Sequence, residues 1–161
     1  MIEIHENLFV GDDYDCKKSY NEYAIIHACK TCHQKALNYN KSLPSNHSNY
    51  LIYEKGNNLF LNLVDMPKEF MPKYTDPIMK KALAFIDIHK NIKPVLIHCN
   101  QGFSRSPSIG LLWLAINNHI CNNDYCSASI DFKKIYASYQ PGTGVNLYLQ
   151  NNWERLMTGI E

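Results

Sequence analysis

Apolar positions change period several times along the chain. Ile2–Ile4 and Leu8–Val10 flank a polar turn and read as a hairpin. Tyr23–Ala28, Leu59–Val64 and Val95–His98 are short, mostly continuous apolar runs, the pattern of strands buried on both faces, and Asn49–Tyr53 reads as an edge strand. Between the last two core runs, Ile78, Met79, Ala82, Leu83 and Ile86 recur at helical spacing behind Asp76-Pro77, which predicts a helix over about Asp76–Lys90. Three more helices are expected near Pro107–Asn118, Asp124–Ser138 and Val145–Met157. Alternation of strand and helix implies an α/β fold, with a central, mostly parallel sheet flanked by helices, in a single domain spanning residues 1–161. Ligands of such sheets gather beyond the carboxyl ends of the strands, so the segments after Ala28, Val64 and His98 are expected on one rim.

Composition narrows the classes of function. The 161 residues are 45% hydrophobic and 19% charged, with a formal net charge of +1, so bulk electrostatics call for neither nucleic acid nor an anionic membrane, although nucleic acid is not excluded. The longest clear apolar run, Ile109–Ile116, falls short of the roughly 18 residues that suggest a membrane span. Met1-Ile2-Glu3-Ile4-His5 lacks the pattern of a secretory leader. A soluble, reducing, cytoplasmic setting is the expectation, with the six cysteines free. Of 16 basic residues only Arg105 and Arg155 are arginine, which singles out the position of Arg105.

Candidate chemistry concentrates in Val95-Leu96-Ile97-His98-Cys99-Asn100-Gln101-Gly102-Phe103-Ser104-Arg105-Ser106-Pro107. A core strand ends on His98-Cys99, five residues form a turn, and Arg105 stands where a helix can begin. Cysteine attacks as the thiolate, and backbone N–H groups, a helix N-terminus and an arginine supply the positive setting that lowers a thiol pKa. The same donors on Asn100, Gln101, Gly102, Phe103, Ser104 and Arg105 would hold phosphoryl oxygens, Arg105 as a bidentate fork. Ser104 and Ser106 offer hydroxyls to a leaving sulfur anion, and Ser106-Pro107 reads as helix cap and first residue. The bland alternative is an ordinary strand-to-helix turn. Asp65, which ends the Leu59–Val64 run 34 residues before Cys99, is the candidate general acid; a turn or capping aspartate is the alternative. His98 should face away from the sulfur, either supporting the loop by a hydrogen bond or serving as a core histidine.

These residues, His98-Cys99, Gly102 and Ser104-Arg105-Ser106 with Asp65 upstream, resemble the cysteine-dependent protein tyrosine phosphatase superfamily, and most of all its small dual-specificity branch. Ile4–Gly11 resembles the opening hairpin of that branch, Leu61–Asp65 its acid loop, and Tyr139-Gln140-Pro141 through Asn146 its turn between the last two helices. The resemblance implies a dual-specificity phosphatase-like fold and a phosphomonoesterase acting through a phosphocysteine on phosphotyrosine, phosphoserine and phosphothreonine. Cys99, Arg105, Asp65 and Ser106 would be catalytic, no metal or other cofactor would be needed, and the partner would be a phosphorylated protein or small phosphorylated substrate. A nucleotide or RNA-end phosphatase and a phosphate-binding pseudophosphatase are the alternatives. Uncharged Asn100, Gln101 and Phe103 argue against a polyanionic inositol headgroup, and Phe103 could pack on an aromatic ring or a nucleobase.

One cluster falls outside the resemblance. His27-Ala28-Cys29-Lys30-Thr31-Cys32-His33 matches a c-type haem attachment pattern and imitates zinc ligands. Small buried thiols at a strand end, with Lys30 and His33 solvated, are the leading reading, and Lys30 and His33 on a substrate rim are a further alternative; haem attachment would call for an exported protein.

Overall fold

The computed structural model describes residues 1–19 and 21–160. Six strands form one sheet in the order β1-β2-β6-β3-β5-β4: β1 Ile2–His5, β2 Leu8–Gly11, β3 Ala24–His27, β4 Ile52–Lys55, β5 Asn58–Leu61 and β6 Val95–His98. The pairings β2–β6, β6–β3 and β3–β5 are parallel, while the edge strands β1 and β4 join antiparallel through hairpins. β3 and β6 are buried at every position, as their continuous apolar runs require. The helices are α1 Asp13–Ser19, α2 Lys30–Leu37, α3 Pro72–His89, α4 Arg105–Ile116, α5 Tyr125–Ile135 and α6 Thr143–Thr158.

Alternate side chains of each strand feed two cores. Ile4, Val10, Ala24, Ile26, Leu59, Leu61, Val95 and Ile97 join α3–α6 in the main core. Ile25, Leu96 and Cys16 form a smaller cluster on the α1 side, with Phe9 and Tyr23 against it. α4 is buried along nearly its whole length, and the Trp113 indole N–H donates to Asp87 Oδ1 at 2.8 Å. Trp113→Ala should therefore cost about 3–5 kcal/mol, read as a fall in the denaturant midpoint at unchanged slope.

Two expectations are corrected, and two helices are added. α3 begins at Pro72, not Asp76: Thr75 N and Oγ1 both bond the Met71 carbonyl, and Asp76 instead receives the Tyr148 hydroxyl at 2.7 Å and a two-pronged Arg155 contact at 2.7 and 3.1 Å. α4 begins at Arg105 with Ser104 at the cap position, so Ser106 lies inside the first turn. Helices α1 and α2 carried no clear periodic signal; α1 is capped by Asp12 Oδ1, which accepts from Tyr14 N and Asp15 N, and α2 ends on left-handed Asn38.

Candidate active site

Parallel register places the carboxyl ends of four strands side by side: Gly11 is opposite His98, His27 opposite His98, and His27 opposite Phe60. The segments that leave those ends therefore meet on one rim, bringing Asp65 to Cys99.

Cys99 sits at the floor of the turn, 2% exposed, with the Ser106 hydroxyl 3.2 Å from its sulfur. That hydroxyl also reaches the Gly11 carbonyl at 3.2 Å. Because α4 starts two residues earlier than a Ser106 cap would allow, Ser106 is free to face the sulfur. Gly102 takes φ +73°, and a methyl there would stand 3.1 Å from the Gly11 carbonyl oxygen, so this position needs a left-handed residue without a side chain. Its carbonyl accepts the Tyr136 hydroxyl at 2.8 Å, Phe103 O accepts Gln140 N at 2.8 Å, and Ser104 Oγ accepts Gly142 N at 2.9 Å. The connection between α5 and α6 thus clamps the turn from outside. Among the described residues, none of the Asn100–Ser104 amides donates to a protein acceptor. Such free N–H groups at a helix start form an anion-binding concavity.

Arg105 is tied down at three points: Nε lies 2.9 Å from Asp65 Oδ2, Nη1 donates to the Leu63 carbonyl at 3.1 Å, and Nη2 to Asn100 Oδ1 at 3.4 Å. The Nε contact is an ion-pair distance, poorly directed for a hydrogen bond. Asp65 Oδ1 accepts the Ser104 hydroxyl at 3.0 Å, so the carboxylate rests between loop and guanidinium with its side chain 47% exposed.

The loop that follows Asp65 is itself held by α6. Gly144 N donates to Met66 O at 2.9 Å and Phe70 N to Gly144 O at 3.1 Å, and a methyl on Gly144 would fall 2.6 Å from Lys68 O and 2.7 Å from Met66 O. Gly144→Ala must push that loop outward. For the phosphomonoesterase activity that the resemblance implies, kcat is expected to fall by up to ~10²-fold, the scale of a 1 Å misplacement, with inhibition by vanadate less affected.

No family model and no curated protein matches the chain. Solved structures do. DUSP15 is 17% identical and superposes over 99% of this chain and 94% of its own, with a TM-score of 0.65. The human tyrosine phosphatase-like serine/threonine/tyrosine-interacting protein is 20% identical over 98% and 97%, with a TM-score of 0.63. A leucine rich repeat and phosphatase domain containing protein from Entamoeba histolytica is 14% identical over 98% and 92%, with a TM-score of 0.65. The chain has the dual-specificity phosphatase fold.

Within that fold the remaining candidates separate. Asn100 and Gln101 are exposed and Phe103 is 45% exposed at the mouth, while Gly102 is buried. Lys30 lines a cavity of about 310 Å³ beside the acid loop, with Leu63, Met66, Phe70 and Tyr74. His33 does not reach the rim: it is wholly buried, with Nδ1 2.8 Å from the Tyr39 hydroxyl. Successive helix residues face different directions, so adjacency to Cys32 does not carry His33 to the same place. A haem thioether is also ruled out at Cys29, which is fully buried.

His98 is fully buried on the α1 side of the sheet, as alternation requires, with the Cys99 backbone beside its ring. Its Nε2 lies 2.8 Å from His27 Nδ1, and His27 Nε2 lies 3.0 Å from Asn58 Oδ1. Burial holds both rings below the usual histidine range, His27 at about 4 and His98 at about 3, so both are neutral. Nearby, the neighbouring Cys32 thiol holds the Cys29 thiol below the usual range, while the Cys29 thiol and burial hold Cys32 above it. Asp13, Gly11, Tyr136 and Gly142 were not singled out by the sequence, because their parts in the site depend on strand register and on the α5–α6 turn.

Proposed function

We propose that the chain is a cysteine-dependent phosphomonoesterase acting on phosphorylated protein side chains. The observation that carries the reading is the junction of β6 and α4: one buried sulfur, one hydroxyl facing it, one arginine and a ring of free amides, with a carboxylate on the arginine. In the first step the Cys99 thiolate attacks phosphorus, the S–P bond forms and the P–O bond to the leaving group breaks. The loop amides and Arg105 hold the equatorial oxygens as their charge develops, and Asp65 delivers a proton to the departing oxygen. In the second step Asp65 takes a proton from water, the water oxygen attacks phosphorus, and the sulfur leaves as thiolate beside the Ser106 hydroxyl.

The resting contact of Asp65 with Arg105 fits this sequence. An incoming phosphoryl dianion competes for the guanidinium, which frees the carboxyl group to turn toward the leaving oxygen. Phe103 at the mouth offers a face to a phosphotyrosine ring, and Lys30 beside the acid loop a cation to an acidic flanking residue. None of the loop side chains before Arg105 adds a cation for a second phosphate. Phosphopeptides, nucleotides and phosphoinositides offered in parallel should show highest kcat/KM for phosphopeptides, competitive inhibition by vanadate, and full turnover in chelator. Preference for a nucleotide or inositol phosphate would overturn the substrate assignment, and no turnover of any would leave a phosphate-binding domain.

A further inference from the structure

We propose that Asp13, Cys29, Cys32 and His98 bind a zinc ion on the α1 side of the sheet, beneath the phosphate loop but outside the reaction. The four come from separate places: the start of α1 after β2, the cap and first turn of α2 after β3, and the end of β6. With either ring nitrogen counted for His98, one ligand atom from each lies within 4.8 Å of the others; Cys32 Sγ is 3.9 Å from His98 Nε2 and Asp13 Oδ1 3.4 Å from Nδ1.

With the Asn58 amide oriented as it stands, the hydrogen bonds select one tautomer chain for His27 and His98. Asn58 Oδ1 can only accept, so His27 Nε2 carries the proton, and His27 Nδ1 is an acceptor. His98 Nε2 must then donate to it, which leaves His98 Nδ1 as a lone pair. That atom is fully buried, has no hydrogen-bond partner, and faces Asp13 Oδ1 at 3.4 Å. The Cys99 backbone lies beside the His98 ring, but among the described residues Nδ1 makes no hydrogen bond of acceptable geometry. A buried nitrogen lone pair held against a carboxylate oxygen is repulsive unless a cation stands between them. Two thiols complete a tetrahedral set of sulfur, nitrogen and oxygen donors suited to zinc. Zinc bond lengths imply tetrahedron edges of about 3.3–3.8 Å, so the Asp13–His98 separation is already suitable and the set closes by small side-chain movements. His27 then acts as the outer partner that fixes the ring of a metal-bound histidine.

A cavity of about 670 Å³, lined by Asp13, Cys16, His27, Cys32, Phe60 and Asn100 among others, gives an ion access. On binding, each thiol releases its proton and two S–Zn bonds form, with no change of oxidation state. The ion would tie α1 and α2 to the last residue before Cys99, while Cys99 itself faces Ser106 on the other side of the strand.

The test uses the full chain, stripped of metal and kept reduced with a phosphine. Zinc titrated against a chromophoric chelator should bind stoichiometrically, raise the melting temperature, and be replaceable by cobalt with a thiolate-to-metal charge-transfer band. Cys32→Ser and Cys29→Ser should each weaken zinc by more than ~10²-fold, beyond what loss of an outer partner costs; Asp13→Asn should weaken it less, and Cys99→Ser should not change it. Absence of uptake by the wild type, a cobalt spectrum without the thiolate band, or undiminished binding by both cysteine variants would overturn the site. So would a Cys29–Cys32 disulfide forming readily in the presence of stoichiometric zinc. The wild-type spectra decide the question even if the variants fold poorly, and none of these readouts depends on the phosphatase reading.

Discussion

Cys99→Ser should abolish turnover while leaving the fold and the phosphate site intact. The loss is expected on the order of 10⁶-fold, the scale found when a nucleophile acting together with its neighbours is removed. Serine replaces sulfur by a smaller oxygen at a 2% exposed position, so the neighbouring amides, Ser106 and Arg105 keep their places. What disappears is the nucleophile: a serine hydroxyl is a far weaker attacking group than a cysteine sulfur, and no base lies beside it. Phosphorylated substrate should therefore still bind, and the variant should capture it without converting it. Measurement of kcat together with the affinity for a phosphopeptide separates this outcome from simple unfolding, in which both would fail.

Asp65→Asn should lower kcat by about 10²–10⁴-fold, the usual worth of a positioned general acid. An asparagine can keep the Ser104 hydroxyl bond at Oδ1 but cannot donate a proton to the leaving oxygen. Its effect on binding should run the opposite way. Asp65 now occupies Arg105 Nε at 2.9 Å and places negative charge beside the cradle. Removing that charge frees the guanidinium, so vanadate should bind the variant more tightly than the wild type. A further signature concerns the leaving group: substrates whose leaving oxygen is a weak base need little protonation and should lose least. A uniform loss across leaving groups, with weakened vanadate binding, would mean that Asp65 serves to position Arg105 and not to transfer a proton.

How much of this could be read from the chain depends on the length and continuity of each signal. The junction of β6 and α4 was legible because a continuous apolar run, a glycine at a left-handed position, an arginine and a strongly apolar helix follow one another without interruption. The parallel centre of the sheet followed from alternation of strand and helix. Helices α1 and α2 were not legible, since seven and eight mostly polar residues leave no apolar stripe to count. The start of α3 was misplaced because Asp76-Pro77 imitates a cap, whereas Pro72 opens the helix and Pro77 lies within it. Ser106 was misread by the same cap-and-proline pattern, although its role beside the sulfur is stronger for lying inside the first turn. At the Cys29 cluster the adjacent His33 faces Tyr39, away from the thiols. His98, the histidine of the proposed zinc set, is distant in sequence and becomes a neighbour of the cluster only through the pairing of β3 with β6.

The central claim is that the Cys99 sulfur carries the phosphoryl group during turnover. Ser106→Ala removes the hydroxyl that faces the departing thiolate and should slow the second step, so the intermediate accumulates. Turnover of a phosphopeptide by this variant, quenched in acid within the first cycle and digested for mass spectrometry, should yield a single phosphorylated peptide whose modified residue is Cys99. Steady turnover with Cys99 unmodified, or with the phosphoryl group on any other residue, would contradict it.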